Sequence, residues 1–198
     1  MRLGVLVSGR GSNLDAILTA GLPGVEPVIV ISNRAGVAAL EVAARHGVPA
    51  AVLRRADFAD DAEARDAAIG RALTDVDADL ALLAGYDQVL RASFFDAYRG
   101  RAVNIHPSLL PAHGGPGMVG AAVHDAVLAS GADETGVTIH EVTQDVDAGP
   151  ILAQSRVAVR PDDDAASLAA RVLAEEHRLL VATLRDLATE TAARSTSS

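Results

Sequence analysis

Short β-branched and aliphatic runs recur at residues 3–8, 27–32, 51–53, 80–84 and 102–105, separated by Ala- and Leu-rich stretches with helical spacing. The spacing predicts helices over 13–20, 37–46, 62–76, 88–97 and 118–129, several of them stopping at a glycine such as Gly47 or Gly131. Strand runs that are apolar throughout, alternating with helices, describe βαβ units on a buried parallel sheet. Two later strand runs, 136–142 and 151–159, are joined by a stretch too short to hold a helix, so it reads as a loop between strands. Asp162, Asp163 and Asp164 offer N-caps for a closing helix running roughly from 165 to 187, and the tail 189–198 is expected to fray. The fold class expected is α/β: a single-domain, Rossmann-like, mostly parallel twisted sheet with helices on both faces.

Composition narrows this picture. With 198 residues, 49% of them hydrophobic, the chain can bury one sizeable core. Only 3% of residues are aromatic and Trp is absent, so Ala, Val, Leu and Ile must fill that core. A formal charge of −9 argues against a nucleic-acid surface, because phosphate backbones require clustered cations. The sequence has no Lys, which leaves Arg, helix N-termini and protonated His as local sources of positive charge. Zero Cys excludes disulfides, thiolate catalysis and thiolate-bound zinc, and the spacing of His46, His113, His124, His140 and His177 suits no metal site. No secretory h-region and no apolar stretch of bilayer length is visible, so a cytoplasmic protein without membrane partners is expected.

Candidate chemistry concentrates at Asn104-Ile105-His106-Pro107-Ser108-Leu109-Leu110-Pro111, where the fifth strand run ends. Strand alternation aims Asn104 and His106 to one side. An amide donor beside an imidazole can hold a carbonyl oxygen as it becomes an oxyanion, and the imidazole can also donate or shuttle a proton. An acid in the loop after residue 142 can orient the histidine, and Asp145 and Asp147 both qualify. Ser8-Gly9-Arg10-Gly11-Ser12-Asn13-Leu14 follows the first strand and opens the first helix, a place where a monophosphate fits. Leu14 stands where a dinucleotide fingerprint needs its third glycine, and no Walker lysine is present. Glu175 and Glu176 lie inside the closing helix, and either can bind a cationic amine if that helix lines the ligand crevice.

These segments, with Ser32-Asn33-Arg34, Leu83-Ala84-Gly85-Tyr86 and Val146-Asp147-Ala148-Gly149-Pro150, resemble the phosphoribosylglycinamide (glycinamide ribonucleotide) formyltransferases of purine biosynthesis in order and spacing over nearly the whole chain. The Asn-x-His and Asp-x-Gly-Pro elements are shared across formyltetrahydrofolate-using enzymes, whereas the phosphate loop and short length point to this branch. The resemblance implies a formyltransferase domain over 1–188 with a flexible tail over 189–198. It implies that Asn104, His106 and Asp147 are catalytic, and so chooses Asp147 over Asp145. By the same match Gly11, Ser12 and Asn13 hold a ribose phosphate and Glu176 binds the substrate's amine end. Asp87, Gln88, Val89 and Leu90, together with Asn104, Thr143, Gln144, Asp145, Val146 and Asp147, line the folate pocket. The implied co-substrate is 10-formyltetrahydrofolate, with no metal, and the implied partners are small molecules acting on a monomer or homodimer. The implied reaction is direct attack of the glycinamide amine on the formyl carbon, with protonated His106 and Asn104 holding the oxyanion and Asp147 raising the His106 pKa. The alternatives are a formyltetrahydrofolate hydrolase or another N-formyltransferase.

Three segments depart from the family pattern. The run His113-Gly114-Gly115-Pro116-Gly117-Met118-Val119-Gly120 replaces an aromatic followed by Pro-Gly-x-His-Gly. Asp87-Gln88 stands where some members have Met-Arg, and Ala62 where many have an arginine, with Arg65 nearby as a substitute. The last two changes bear on how the folate tail is held.

Overall fold

The computed structural model describes residues 1–195, and the chain divides into two compact units. The first comprises Met1–Val103 with the end of the chain from Leu184, the second Asn104–Thr183. The α/β class is the one observed.

In the first unit, β1 (Arg2–Val7) lies between β2 (Glu26–Ser32) and β4 (Leu80–Leu83), and β3 (Ala50–Val52) pairs with β2, every pairing parallel. Leu3, Val5, Leu6 and Val7 are wholly buried, which explains why the first run is apolar throughout rather than alternating. Between these strands run α1 (Ser12–Ala20), α2 (Ala38–Arg45), α3 (Ala62–Asp75) and α4 (Ala92–Ala97). The strand order turns back between β1 and β4, so the loops leaving their C-terminal ends meet at the switch point where open parallel sheets place ligands. The Asp87 N–H donating to Ser8 Oγ at 3.0 Å shows that contact directly.

β5 (Arg101–His106) carries the chain into the second unit, where α5 (Ala121–Ser130) precedes β6 (Glu134–Glu141) and β7 (Ile151–Ala158). β6 and β7 are antiparallel, as their short connection requires, with a register shift between Ile139 and His140. The closing helix α6 (Ala165–Ser195) passes from the second unit into the first.

Three helix boundaries differ from the sequence reading. The helix expected from 88 begins only at Ala92, because the Arg91 N–H is taken by the Asp66 carboxylate at 3.0 Å. The helix expected from 118 begins at Ala121, because Gly117 and Gly120 hold positive φ values of 86° and 59° and keep the preceding turn out of the helical region. α6 continues to Ser195 instead of stopping near 187, since Leu184, Leu187 and Ala188 still bury apolar faces and Thr191 Oγ1 donates to the Leu187 carbonyl. The expectation for the tail at 196–198 lies outside the described residues.

Candidate active site

The core of the site lies wholly in the second unit. β5 turns Asn104 and His106 to one side, and the loop after β6 brings Asp147 to the histidine. His106 is 4% exposed, and its Nε2 sits 2.9 Å from the His113 carbonyl oxygen. A carbonyl only accepts, so Nε2 carries a proton. The other ring nitrogen, Nδ1, faces Asp147 Oδ2 at 3.7 Å. Asp145, by contrast, is exposed, and its carbonyl is tied to Thr143 Oγ1 at 3.0 Å. Geometry therefore pairs the histidine with Asp147, the choice that residue types alone left open.

Asp147 adopts φ 54°, in the left-handed region, a conformation in which Asp and Asn are tolerated far better than other side chains. There its Oδ2 accepts the Gly115 N–H at 2.9 Å. Burial alone would push this carboxyl up. The neighbouring His140 ring, the Gly115 N–H and, whenever they are protonated, the charges of His106 and His140 outweigh burial, so it titrates below the ordinary carboxylate range. His106 behaves in the opposite sense. Burial pushes it down, and this exceeds the upward pull of the His113 carbonyl and of Asp147. Asp147 thus raises the imidazole's affinity for a proton, as expected, but burial leaves the resting ring neutral rather than charged.

The loop 107–111 is held by Thr138 of β6, whose Oγ1 donates to the Ser108 carbonyl at 2.7 Å and accepts the Leu110 N–H at 3.0 Å. Gln154 of β7 reinforces this by donating to the Leu110 carbonyl at 2.9 Å. His140, which the sequence reading left without a role, stands inside the cluster. Its Nε2 is 3.1 Å from Asn104 Nδ2 and 3.5 Å from Asp147 Oδ1. The available signal was β6 alternation, which puts His140 on the same side as Thr138. The loop also closes tightly: a Cβ at Gly149 would stand 2.0 Å from the Glu141 carbonyl oxygen, and the Glu141 N–H donates to the Pro150 carbonyl at 2.9 Å.

The other expected residues are placed as follows. Gly11 is the N-cap of α1 with φ 77°, and a Cβ there would meet Ala39 Cα at 2.7 Å, so only glycine fits. Ser12 and Asn13 form the first turn behind it, and Asn13 is buried. Because Gly11 brings no capping side chain, the first turn presents backbone amides in the arrangement that suits an anion. Asp87 accepts from Asn33 Nδ2 at 2.8 Å and pairs with Arg34, which also donates to the Ser8 carbonyl at 3.1 Å. This accounts for Ser32-Asn33-Arg34 as a strut between the two switch-point loops. Burial pushes Asp87 up, but hydrogen bonds from Asn33, Gln88 and Ser8 and the Arg34 charge bring it below its ordinary range. Gln88 accepts from Arg65 at 3.2 Å, Val89 is exposed and Leu90 is buried. Thr143 and Gln144 are exposed, Val146 is half-buried, and Glu176 is buried on α6.

One expectation is corrected. Arg65 does not stand in for a ligand-contacting arginine, since it is 2% exposed and its Nε and Nη2 both donate to Asp66 Oδ1, at 2.9 and 2.6 Å. Its charge is matched inside the first unit.

Burial also lowers the pKa of His124 on α5, against the pull of Asp125. The unfolded chain takes up protons on His106 and His124 near the ordinary value of 6.5, whereas the folded chain resists them until lower pH. Unfolding then binds protons, so stability is full above that value and declines as pH falls through it. The melting temperature is expected to drop between about pH 7.5 and about pH 5.5, before carboxylates titrate, and His124→Gln should lessen the drop. An unchanged melting temperature across that interval would contradict the assignment.

The chain is similar to known proteins over nearly its whole length. Residues 1–184 match the family described as formyl transferase. The chain is 43% identical over 181 residues to the trifunctional purine biosynthetic protein adenosine-3 of Drosophila melanogaster, covering 89% of this chain and 13% of that protein. It is 39% identical to the solved glycinamide ribonucleotide transformylase 1 of Symbiobacterium toebii, with a TM-score of 0.88 over 96% of this chain and 88% of that one. It is 42% identical to the solved phosphoribosylglycinamide formyltransferase of Brucella melitensis, with a TM-score of 0.84 over 94% and 95% of the two chains. The chain spans only 13–18% of the length of the first curated relatives it matches. No helix among the described residues is long and apolar enough to cross a membrane. From the match over residues 1–184 and the two solved structures covered almost end to end, the chain belongs to the formyl transferase family.

Proposed function

We propose that the protein transfers the formyl group of 10-formyltetrahydrofolate to the amine of glycinamide ribonucleotide, in the cytoplasm, as a step of purine biosynthesis. The observation that carries this reading is the Asn104, His106 and Asp147 cluster in a chain of this family. No Ser or Cys nucleophile is needed, because the attacking amine arrives with the substrate.

In this reading Gly11, Ser12 and Asn13 hold the ribose phosphate on backbone amides at the start of α1. Glu176 receives the amine end. Asp87 to Leu90 and Thr143 to Asp147 hold the folate, with the switch-point loops braced by the Arg34 and Asp87 pair. As the amine nitrogen bonds to the formyl carbon, the carbonyl oxygen gains negative charge and Asn104 donates an amide hydrogen to it. The neutral His106 takes the proton released by the attacking nitrogen on Nδ1, the atom facing Asp147. The imidazolium then lies between the Asp147 carboxylate and the His113 carbonyl, and its charge offsets the oxyanion. Collapse of the intermediate breaks the bond from the formyl carbon to folate N10, and His106 returns the proton to that nitrogen. Among the described residues no group of acids and histidines is placed to hold a metal ion, and the proposed steps route nothing through one.

The test is to incubate the protein with 10-formyltetrahydrofolate and follow deformylated folate with and without glycinamide ribonucleotide. Product that depends strictly on the ribonucleotide is expected. Equal product without it would assign the chain to hydrolysis, and product only with a different amine would reassign the acceptor.

A further inference from the structure

His140 is 2% exposed and both of its ring nitrogens are occupied. Nδ1 lies 2.8 Å from the Glu141 carbonyl oxygen. A carbonyl cannot donate, so Nδ1 carries a hydrogen. On a neutral ring Nε2 is then a bare acceptor, and its nearest partner is Asn104 Nδ2 at 3.1 Å, closer than Asp147 Oδ1 at 3.5 Å. We infer that His140 is the positioning residue for Asn104: a neutral imidazole, protonated on Nδ1, that accepts one amide hydrogen and so fixes which end of the Asn104 amide faces the reacting carbonyl.

The physical point is the two-faced character of an asparagine side chain. Its NH2 end stabilises an oxyanion and its carbonyl end repels one, and the two ends have nearly the same shape. Packing alone therefore cannot choose between them. A buried acceptor that tolerates only the NH2 end can. One amide hydrogen goes to His140 Nε2, and the second remains for the substrate oxygen. The choice is passed one step further back, since the tautomer of His140 is set by the Glu141 carbonyl. That carbonyl belongs to the last residue of β6, where the hairpin closes.

This inference rests on the proposed formyl transfer, and two measurements separate its failure from failure of that reading. The first needs no turnover: ¹⁵N chemical shifts of the histidine ring in wild-type protein at neutral pH should show His140 Nδ1 protonated and Nε2 bare. A proton on Nε2, whether in the other tautomer or in a charged ring bonded to Asp147, overturns the inference even if the enzyme transfers formyl groups. The second compares His140→Gln, whose Oε1 supplies an acceptor near the position of Nε2, with His140→Phe, which supplies none. The phenylalanine variant is expected to lose about 10–100-fold in kcat with KM for both substrates within about threefold of wild type, and the glutamine variant to recover most of the loss. Equal loss in both variants, or a loss confined to KM, would also overturn it. Should His140→Phe fail to fold, the wild-type tautomer and the glutamine variant still decide.

Discussion

Asn104→Ala and His106→Ala are each expected to fold and to lose about 10²–10³ or more in kcat, because each removes a group that acts as the carbonyl oxygen becomes an oxyanion. Both side chains stand on β5, where the flanking Val103 and Ile105 are also buried, so both variants should keep the wild-type circular dichroism, while His106→Ala should lower the melting temperature modestly because its ring is buried and bonded to the His113 carbonyl. The two losses differ in character. Without Asn104 the oxyanion loses a donor, but the proton relay survives, so the pH profile of kcat should keep its shape. Without His106 the relay goes, and with it the acid limb, which in wild type lies below 6.5 because burial depresses the imidazole. Asp147→Asn tests the same chain of effects without disturbing the backbone, since Asn accepts the left-handed φ of 54° as readily as Asp. Turnover of His106→Ala within about tenfold of wild type would remove the relay from the mechanism.

Arg65→Ala is expected to be the most damaging change away from the site, costing about 3–5 kcal/mol and lowering the melting temperature by roughly 6–20 °C. The arginine and Asp66 are 2% and 0% exposed, and Asp66 also accepts the Arg91 N–H at 3.0 Å. Truncation would leave a carboxylate without its counter-charge where water does not reach it. The double change Arg65→Met with Asp66→Asn should recover much of the loss, because it removes both charges while keeping an acceptor for the Arg91 amide. Urea denaturation of the two variants supplies the comparison. A cost under about 1 kcal/mol for Arg65→Ala would mean that the pair is not sealed from solvent.

Much of this was legible in the residues. Among the described residues the apolar runs located the strands to within about two residues at each end; β1 and β4, buried on both faces, have few other ways to be written, whereas β3 and β7 are half-buried or exposed and were read from their β-branched and aliphatic residues. The alternation of Asn104 and His106 put both on one side. Helix starts were harder to read, because the competition at Arg91 and Gly120 is decided by a distant carboxylate in one case and a backbone φ in the other. The charge state of His106 was not legible either. It depends on how deeply the ring is buried, and composition does not carry that quantity. His140 was missed because its partners, Asn104 and the Glu141 carbonyl, come from different strands and from the main chain. Arg65 was misread for a different reason: its counter-ion Asp66 stands next to it in sequence, but the burial that seals the pair away from solvent does not show in the residue types.

The close approach of Gly149 to the Glu141 carbonyl ties the end of the loop to the atom that fixes His140. For anyone redesigning this loop, the contact divides it into two kinds of position. Between Thr143 and Val146 the chain is exposed or half-buried and held by local hydrogen bonds to the Asp145 carbonyl, so changes of residue there tune what the loop covers. At residue 149 the loop is pinned like the pivot of a hinge, and a graft that respects the ligand-facing residues but not the pivot would carry every functional group and still hold them out of alignment.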